Sequence, residues 1–228
     1  WMIRNNQIAS SSGGISGTWA SSTISGNVLN GVGGFALGAG ADSVIINNYV
    51  DGQGSAPFGA SGRTGTRIIN NTFLNTGTGI ELFYPDMVVD GNRFINTVSY
   101  GIRTNSSGLN AVISNNQMKN LGFDSIAIID SDGALVTGNV IEGSTNYGGI
   151  RVQNSASSTV SNNRLIDLPG GGCCGATLDI ENATNTLVSN NYIDGGLRTG
   201  IVITNSFATV LSDNSIYNVA GSYGIDID

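Results

Sequence analysis

Residues 45–50 read IINNYV and residues 68–73 read IINNTF, and this six-residue pattern recurs along the whole chain. It consists of an apolar residue, two mostly polar residues, Asn, any residue and a second apolar residue. Nine intervals between the ten copies cover 208 residues (214 minus 6), so the mean period is about 23 residues. The fourth position of the copies is Asn6, Asn27, Asn48, Asn71, Asn92, Asn116, Asn139, Asn163, Asn191 and Asn214.

A second signature follows most copies, namely a small residue and then an apolar-x-apolar triplet. It reads GIEL at residues 79–82 and GIRV at residues 149–152. Each repeat therefore contains two or three short strands of period two, separated by Gly, Asn and Ser turns. Because strands this short cannot pack alone, neighbouring repeats must stack as the coils of a solenoid. The sequence predicts an all-β parallel β-helix of about ten coils that forms one domain over residues 1–228.

The repeated Asn has a structural explanation in such a solenoid. When its copies stack at one turn, each side-chain amide donates to the next coil on one side and accepts from the coil on the other, which forms a ladder. The neighbouring Asn or Gly tolerates the left-handed backbone conformation that a sharp turn requires. We therefore assign these Asn residues no chemical role.

The two signatures together resemble the right-handed parallel β-helix of the pectate-lyase-like superfamily, over nearly the whole chain. That superfamily includes polysaccharide lyases, glycoside hydrolases, uronan epimerases and phage tailspikes. The resemblance implies a right-handed β-helix. It does not select an activity, because the repeat is scaffolding on which many activities occur.

Composition excludes several classes of function. The 228 residues contain no His, which excludes a Ser-His-Asp triad and any His-ligated metal. A net charge of −7 with Lys119 as the single lysine argues against a nucleic-acid partner, since phosphate binding requires cationic side chains. No run of 18 apolar residues is present, so the sequence predicts no membrane-spanning helix.

Charged residues lie along one face of the second repeated strand. The residue between two inward apolar positions points outward, and its equivalents align from coil to coil. This row is Glu81, Arg103, Ala127, Arg151, Asp179, Val202 and Asp226. A parallel row two residues further on is Phe83, Asn105, Ile129, Gln153, Glu181, Thr204 and Asp228. Such a stripe suits a polysaccharide, because a long groove holds several sugar units at once.

Arg151, Asp179 and Glu181 are the candidate catalytic residues. Arg151 and Asp179 belong to adjacent coils, roughly 5 Å apart, and Asp179 and Glu181 are two residues apart on one strand, about 6.6 Å. This separation is compatible with the carboxylate pair of an inverting glycosidase, roughly 6.5–9.5 Å.

The candidate substrate-binding residues are Glu81, Arg103, Phe83 and Gln153. An alternative explanation of the stripe is a surface ladder of salt bridges that keeps the sheet soluble and has no other role.

The residues alone establish no cofactor and no metal site. Members of the superfamily use Arg together with acidic residues that hold Ca²⁺, so the resemblance implies Ca²⁺ as the cofactor to test. Arg151 or Arg103 beside Asp179 and Glu181 is similar in residue type, without matching a specific motif.

One interval is longer than the others, at 28 residues between Asn163 and Asn191, and its excess lies in residues 168–175. This glycine-rich segment contains Cys173 and Cys174, and we expect a loop insertion beside the stripe. Adjacent cysteines lie below the usual disulfide range, which favours free thiols and leaves open a strained vicinal disulfide or an intermolecular bridge. Neither chain end shows a capping segment, which favours a segment of a longer protein over a unit that stacks end to end.

Two functions are compatible with these features. The first is an extracellular or secreted protein that binds or depolymerises a polysaccharide along the stripe, as a polysaccharide lyase or a glycoside hydrolase. The second is a non-catalytic structural solenoid: a stalk, an adhesin segment or a filament subunit. End-to-end self-association or a trimer is a further expectation. The sequence favours the first function because charged residues cluster beside the inserted loop.

Overall fold

The computed structural model of the protein describes residues 1–53, 57–144, 148–168, 176–221 and 223–228. Within these ranges the regular structure is thirty β-strands, β1–β30 in chain order, which form three parallel sheets of ten strands each. Each repeat contributes one strand to each sheet, and nine turns of the solenoid separate the first strand of a sheet from its last. The predicted all-β parallel β-helix and its period are confirmed.

Sheet 1 is formed by the strands that precede the repeated Asn, and their central residues point into the core. Its strands are β1 (Met2–Arg4), β4 (Thr23–Ser25), β7 (Val44–Ile46), β10 (Arg67–Ile69), β13 (Val88–Asp90), β16 (Val112–Ser114), β19 (Leu135–Thr137), β22 (Thr159–Ser161), β25 (Leu187–Ser189) and β28 (Val210–Ser212). The buried central residues include Ile45, Ile68 and Val136.

Sheet 2 follows the repeated Asn after a sharp turn. Its strands are β2 (Gln7–Ala9), β5 (Val28–Asn30), β8 (Tyr49–Asp51), β11 (Thr72–Leu74), β14 (Arg93–Ile95), β17 (Gln117–Lys119), β20 (Val140–Glu142), β23 (Arg164–Ile166), β26 (Tyr192–Asp194) and β29 (Ser215–Tyr217). Its inward residues fill the core, where the rings of Phe73 and Phe94 stack with centroids 5.2 Å apart.

Sheet 3 is formed by the apolar-x-apolar signature and has the charged stripe on its outer face. Its strands are β3 (Ile15–Ser16), β6 (Phe35–Gly38), β9 (Phe58–Ser61), β12 (Ile80–Leu82), β15 (Ile102–Thr104), β18 (Ile126–Ile129), β21 (Ile150–Gln153), β24 (Ala176–Glu181), β27 (Thr199–Thr204) and β30 (Ile225–Ile227). Ile80, Leu82 and most of their equivalents point inward and are buried, so the residue between them points outward. In the last strand the equivalent residues Ile225 and Ile227 are exposed.

The repeated Asn residues form the expected ladder between sheets 1 and 2. Asn48 is typical: its amide nitrogen Nδ2 donates to Oδ1 of Asn71 at 3.0 Å, and its own Oδ1 accepts from Nδ2 of Asn27 at 2.9 Å. The backbone N–H of Asn27 also donates to Oδ1 of Asn48, at 2.9 Å. The same side-chain bond joins every consecutive pair from Asn6 to Asn214. Each ladder Asn therefore satisfies buried backbone groups as well as its neighbours.

The residue before each ladder Asn makes the sharp turn. It has a positive φ in every copy, for example 56° at Asn47 and 65° at Gly91. Asn, Asp and Gly are the residues that adopt this left-handed conformation at least cost, which confirms the interpretation of the repeated Asn-Asn and Gly-Asn pairs. Across the described part of the chain, no helix is long and apolar enough to cross a membrane.

We predict that Asn48→Ala lowers the free energy of unfolding by about 1–3 kcal/mol, because it leaves the buried N–H of Asn27 without its acceptor. Asn47→Gly is the matched control: Asn47 is exposed and already has a positive φ, so this change should cost little. Urea denaturation of both variants measures the difference. Equal stability of the two would show that the ladder does not stabilise the solenoid.

Candidate functional site

The outer face of sheet 3 places the predicted stripe in register. Glu81 pairs with Arg103, Arg103 with Ala127, and Ala127 with Arg151. Arg151 pairs in turn with Asp179. Neighbouring members of the row therefore lie one strand spacing apart, roughly 4.8 Å along the solenoid.

Arg151 connects the three candidate catalytic residues. Its Nη2 lies 2.7 Å from Oε2 of Glu181, and its Nε lies 3.8 Å from Oδ2 of Asp179. Nε2 of Gln153 donates to the same Oε2 of Glu181, at 3.1 Å. One guanidinium thus faces both carboxylates, and Gln153 contacts Glu181 within this cluster.

The cluster lies on the outward face of sheet 3 but is largely buried. Asp179 is only 5% exposed, and the side chains of Arg151 and Glu181 are 15% and 27% exposed. The period-two pattern gives the direction of a side chain from the sheet but not its depth. The ion pairs of Arg151 are therefore mostly shielded from solvent, and both the polysaccharide site and the ladder of salt bridges stay predictions.

Asp124 is the residue that the sequence analysis missed. It is 8% exposed and interacts electrostatically with both Arg151 and Asp179. Burial is the main cause that raises the pKa of the Asp124 carboxyl to about 6. Arg151 and the donating backbone N–H of Gly148 lower this pKa, while the negative charge of Asp179 raises it.

Asp124 belongs to a third register row, two positions before the first inward residue of each sheet 3 strand. Since Ile102 pairs with Ile126, Asp124 is the equivalent of Tyr100 in the preceding coil. The sequence did contain a signal for Asp124: a carboxylate stands at a position where a neighbouring repeat has an aromatic residue. Recognising Asp124 required the exact strand register. An alignment by residue type alone would match Tyr100 with Phe123 instead of Asp124.

Glu81 and Arg103 form a second, separate cluster on the same face. Nη1 of Arg103 lies 4.0 Å from Oε1 of Glu81, and its guanidinium lies 5.1 Å from the centroid of the Tyr100 ring. Burial raises the pKa of Glu81, and the charge of Arg103 acts in the opposite direction. The ring of Tyr100 also packs on Phe123, 5.5 Å away. The apolar, buried Ala127 separates this cluster from Arg151, so the stripe is not one continuous row of charges.

Phe83 follows Glu81 by two residues, at the end of the stripe nearer the first coils. It lines a pocket of about 240 Å³ together with Phe35, Ser61, Arg63 and Tyr84. Ser61 pairs with Glu81, so the floor of this pocket continues the outward row of sheet 3.

Three register rows run side by side along the outer face of sheet 3, and we call this face the groove. The outward row lies in the middle, with the row of Tyr100 and Asp124 on one side and the row of Phe83 and Glu181 on the other. The predicted substrate-binding residues all lie in this groove, but the structure does not gather them at one point.

The described residues do not fit a Ca²⁺ site. Among them, no group of three or more His, Cys, Asp or Glu side chains is arranged to hold a metal ion. The cation that faces Asp179 and Glu181 is the guanidinium of Arg151. A role for Ca²⁺ stays a prediction from the resemblance, and no chemical step below involves it.

The predicted loop insertion is only partly described. Leu168, the first residue of the segment, is buried in the hydrophobic core. Residues 169–175, including Cys173 and Cys174, lie outside the described residues, as does Tyr147. The loop at 168–175 and the state of the two thiols therefore stay predictions.

The sequence of this chain matches a known protein family. A family described as the right-handed beta helix region matches residues 1–141 and 104–228, which together span the chain. No curated protein sequence matches significantly.

Several solved structures share the fold at low sequence identity. A surface adhesin of Streptococcus pneumoniae superposes with a TM-score of 0.69 at 16% identity, over 90% of this chain and 64% of the adhesin. The catalytic unit of an α-1,3-glucanase from Streptomyces thermodiastaticus gives 0.65 at 13% identity, over 90% of this chain and 48% of the glucanase. A periplasmic alginate epimerase gives 0.65 at 13% identity, over 86% of this chain and 55% of the epimerase. This chain therefore spans less than two thirds of each of the three.

We predict that Asp124→Asn changes the pH dependence of stability. A carboxyl that titrates at about 6 when folded and near 3.8 when unfolded favours the folded state most at low pH. As the pH rises through this window, the wild type should lose stability of the order of 3 kcal/mol relative to the variant.

Urea denaturation between pH 4 and pH 8 measures this difference, and Asp213→Asn, which removes an exposed carboxylate at a turn, is the control. A constant difference between wild type and Asp124→Asn across the range would contradict the raised pKa.

Proposed function

The chain belongs to the right-handed β-helix family, and from this premise we propose that it is a polysaccharide-processing protein that hydrolyses a glycosidic bond in the groove on sheet 3. Asp124, Arg151, Asp179 and Glu181 would form the reacting centre. The proposal also places the protein outside the cell or at its surface. A streptococcal surface adhesin and a periplasmic epimerase among the similar structures support that location.

One observation carries the proposal: two carboxyl groups of one cluster are in different protonation environments. Burial raises the pKa of Asp124 to about 6, whereas Asp179 lies 3.8 Å from the Arg151 guanidinium. Glycoside hydrolysis requires one carboxylic acid that donates a proton and one carboxylate that activates water. Environments that separate the pKa values of two carboxyls provide this division of roles.

The proposed step follows from this arrangement. Asp124 donates its proton to the glycosidic oxygen as the bond from that oxygen to the anomeric carbon breaks. A water molecule forms the new bond to the anomeric carbon and gives a proton to Asp179 or Glu181. Proton return to Asp124 through solvent restores the site. Arg151 keeps the accepting carboxylates in place before the step.

This assignment refines the expected acid–base pair of Asp179 and Glu181. Both face the guanidinium of Arg151, and we assign them the role of proton acceptor. Asp124 supplies the acid that this pair lacks. Arg151 then has a positioning role through the two carboxylates.

Charge balance favours hydrolysis over a lyase reaction. A lyase must neutralise the carboxylate of a uronic acid while a base removes the neighbouring proton. In this cluster the single positive charge of Arg151 already faces two negative side chains. The cluster therefore has no surplus positive charge with which to stabilise an anionic sugar.

A second candidate function is a non-catalytic adhesin or stalk. The similarity to a surface adhesin favours it, and the Arg151–Glu181 and Arg103–Glu81 pairs then only stabilise adjacent coils. End-to-end association or a trimer would accompany this role and stays a prediction.

We predict that the wild type shortens at least one polymer from a panel of neutral and acidic polysaccharides, and that Asp124→Asn lowers this rate by about 100-fold or more. Size-exclusion chromatography of the products measures shortening, with and without added Ca²⁺. Asp130→Asn, at the exposed turn that follows β18, is the control and should retain activity.

The new chain ends identify the reaction. A saturated reducing end indicates hydrolysis, and an unsaturated end would replace hydrolysis with elimination. If no polymer is shortened, or if Asp124→Asn cleaves as fast as the wild type, the hydrolytic role of this cluster is wrong.

We also predict that kcat falls as the pH rises through about 6, because Asp124 must be protonated to act as the acid. Initial rates between pH 4 and pH 8 at saturating polymer measure this limb. A rate that increases steadily over the same range would remove Asp124 from the role of proton donor.

A further inference from the structure

The groove on sheet 3 has a second feature, the aromatic pocket near the first coils. Ser16 pairs with Gly38, and Gly38 pairs with Ser61, so small side chains form its floor. Phe35 lies on one side, and Phe83 and Tyr84 lie with Arg63 on the other. The resulting volume is about 240 Å³.

The aromatic rings of this pocket are accessible and held in place. Phe35 and Tyr84 are both exposed, although solvent exposure of large aromatic rings is unfavourable. Phe35 stacks on Phe58 with centroids 4.8 Å apart, which fixes its ring. The guanidinium of Arg63 lies 5.6 Å from the centroid of Tyr84. A sugar ring, which has an apolar C–H face and a hydroxyl rim, matches such rings beside small polar residues.

The pocket and the acidic cluster lie in one groove. Between Ser61 and Arg151 the floor passes through Glu81, Arg103 and Ala127, each paired with the next. Four strand spacings give a separation of about 19 Å. A disaccharide is too short to reach both places, whereas one polymer chain can occupy both.

The charges along the groove favour a neutral polysaccharide over an acidic one. Among the described residues no carboxylate lines the pocket, and the one charged side chain among them, Arg63, lies over Tyr84. At the other end, Arg151 faces Asp179 and Glu181, so an acidic polymer would meet excess negative charge. The whole chain also has a net charge of −7.

From these observations we infer that the Phe35–Tyr84 pocket is a distal sugar-binding site for a neutral polysaccharide whose chain extends along the groove to the acidic cluster. The connection to the cluster rests on the proposed function, but sugar binding at the pocket does not. Long neutral chains are the substrates of this protein, and short glycosides lack the distal contact.

Binding and cleavage are tested separately. Isothermal titration calorimetry on Asp124→Asn measures the affinity for linear neutral hexasaccharides of glucose, mannose and galactose, with a polygalacturonate hexasaccharide as the acidic probe. At least one neutral hexasaccharide should bind, and the acidic one should not. Adding Tyr84→Ala or Phe35→Ala should weaken neutral binding roughly three- to tenfold.

Tyr49→Ala is the matched control, because Tyr49 on sheet 2 is as exposed as Tyr84, at 37% each. It should leave affinity unchanged. In the cleaving protein, Tyr84→Ala should raise KM for a neutral polymer, whereas Tyr49→Ala should change neither KM nor kcat for that polymer.

The outcomes separate the two proposals. Neutral binding that Tyr84→Ala weakens, without cleavage by the wild type, supports the pocket and overturns the hydrolytic role. Cleavage that is insensitive to Tyr84→Ala and Phe35→Ala overturns the pocket. Absence of binding by every neutral hexasaccharide, or equal binding of the acidic one, also overturns it.

Discussion

Lateral pairing between coils is the interaction on which the rest of this protein depends. Strands of three or four residues are too short to be stable alone, and each gains its backbone hydrogen bonds from the coils before and after it. The ladder from Asn6 to Asn214 locks the register of this pairing at the sharpest turn, because each Asn side chain contacts the adjacent coils. Register in turn decides which side chains meet, so the ladder positions the groove without taking part in its chemistry.

Much of this arrangement could be predicted from the sequence, because the spacing of repeated residues gives the strand register directly. The spacing of the Asn residues fixed the period, and the apolar-x-apolar signature placed Arg151 beside Asp179 on adjacent strands. Depth could not be predicted in the same way. Alternation states that Asp179 points out of the core, whereas its burial depends on the turns that pack around it. Asp124 was missed for a related reason, since it lies in a turn and reaches the cluster only through the exact pairing of β15, β18 and β21.

Burial has opposite consequences for the charged groups of the groove. It separates Asp124 from water and raises the pKa of its carboxyl to about 6, the property that the proposed proton donor needs. Asp179, by contrast, lies 3.8 Å from the guanidinium of Arg151. One fold thus places two chemically identical side chains in different environments, a condition that catalysis by two carboxyls requires. The aromatic pocket adds length to the site without adding a carboxylate among the described residues.

The central claim is that burial keeps the carboxyl of Asp124 protonated up to about pH 6, well above the range of an ordinary Asp. Carboxyl ¹³C NMR, with the protein labelled at aspartate Cγ, measures this directly by following the signal that disappears in Asp124→Asn. The account predicts that this signal titrates with a pKa of about 6. A titration near 3.8, the ordinary value for Asp, would contradict the account and leave the groove as a binding surface.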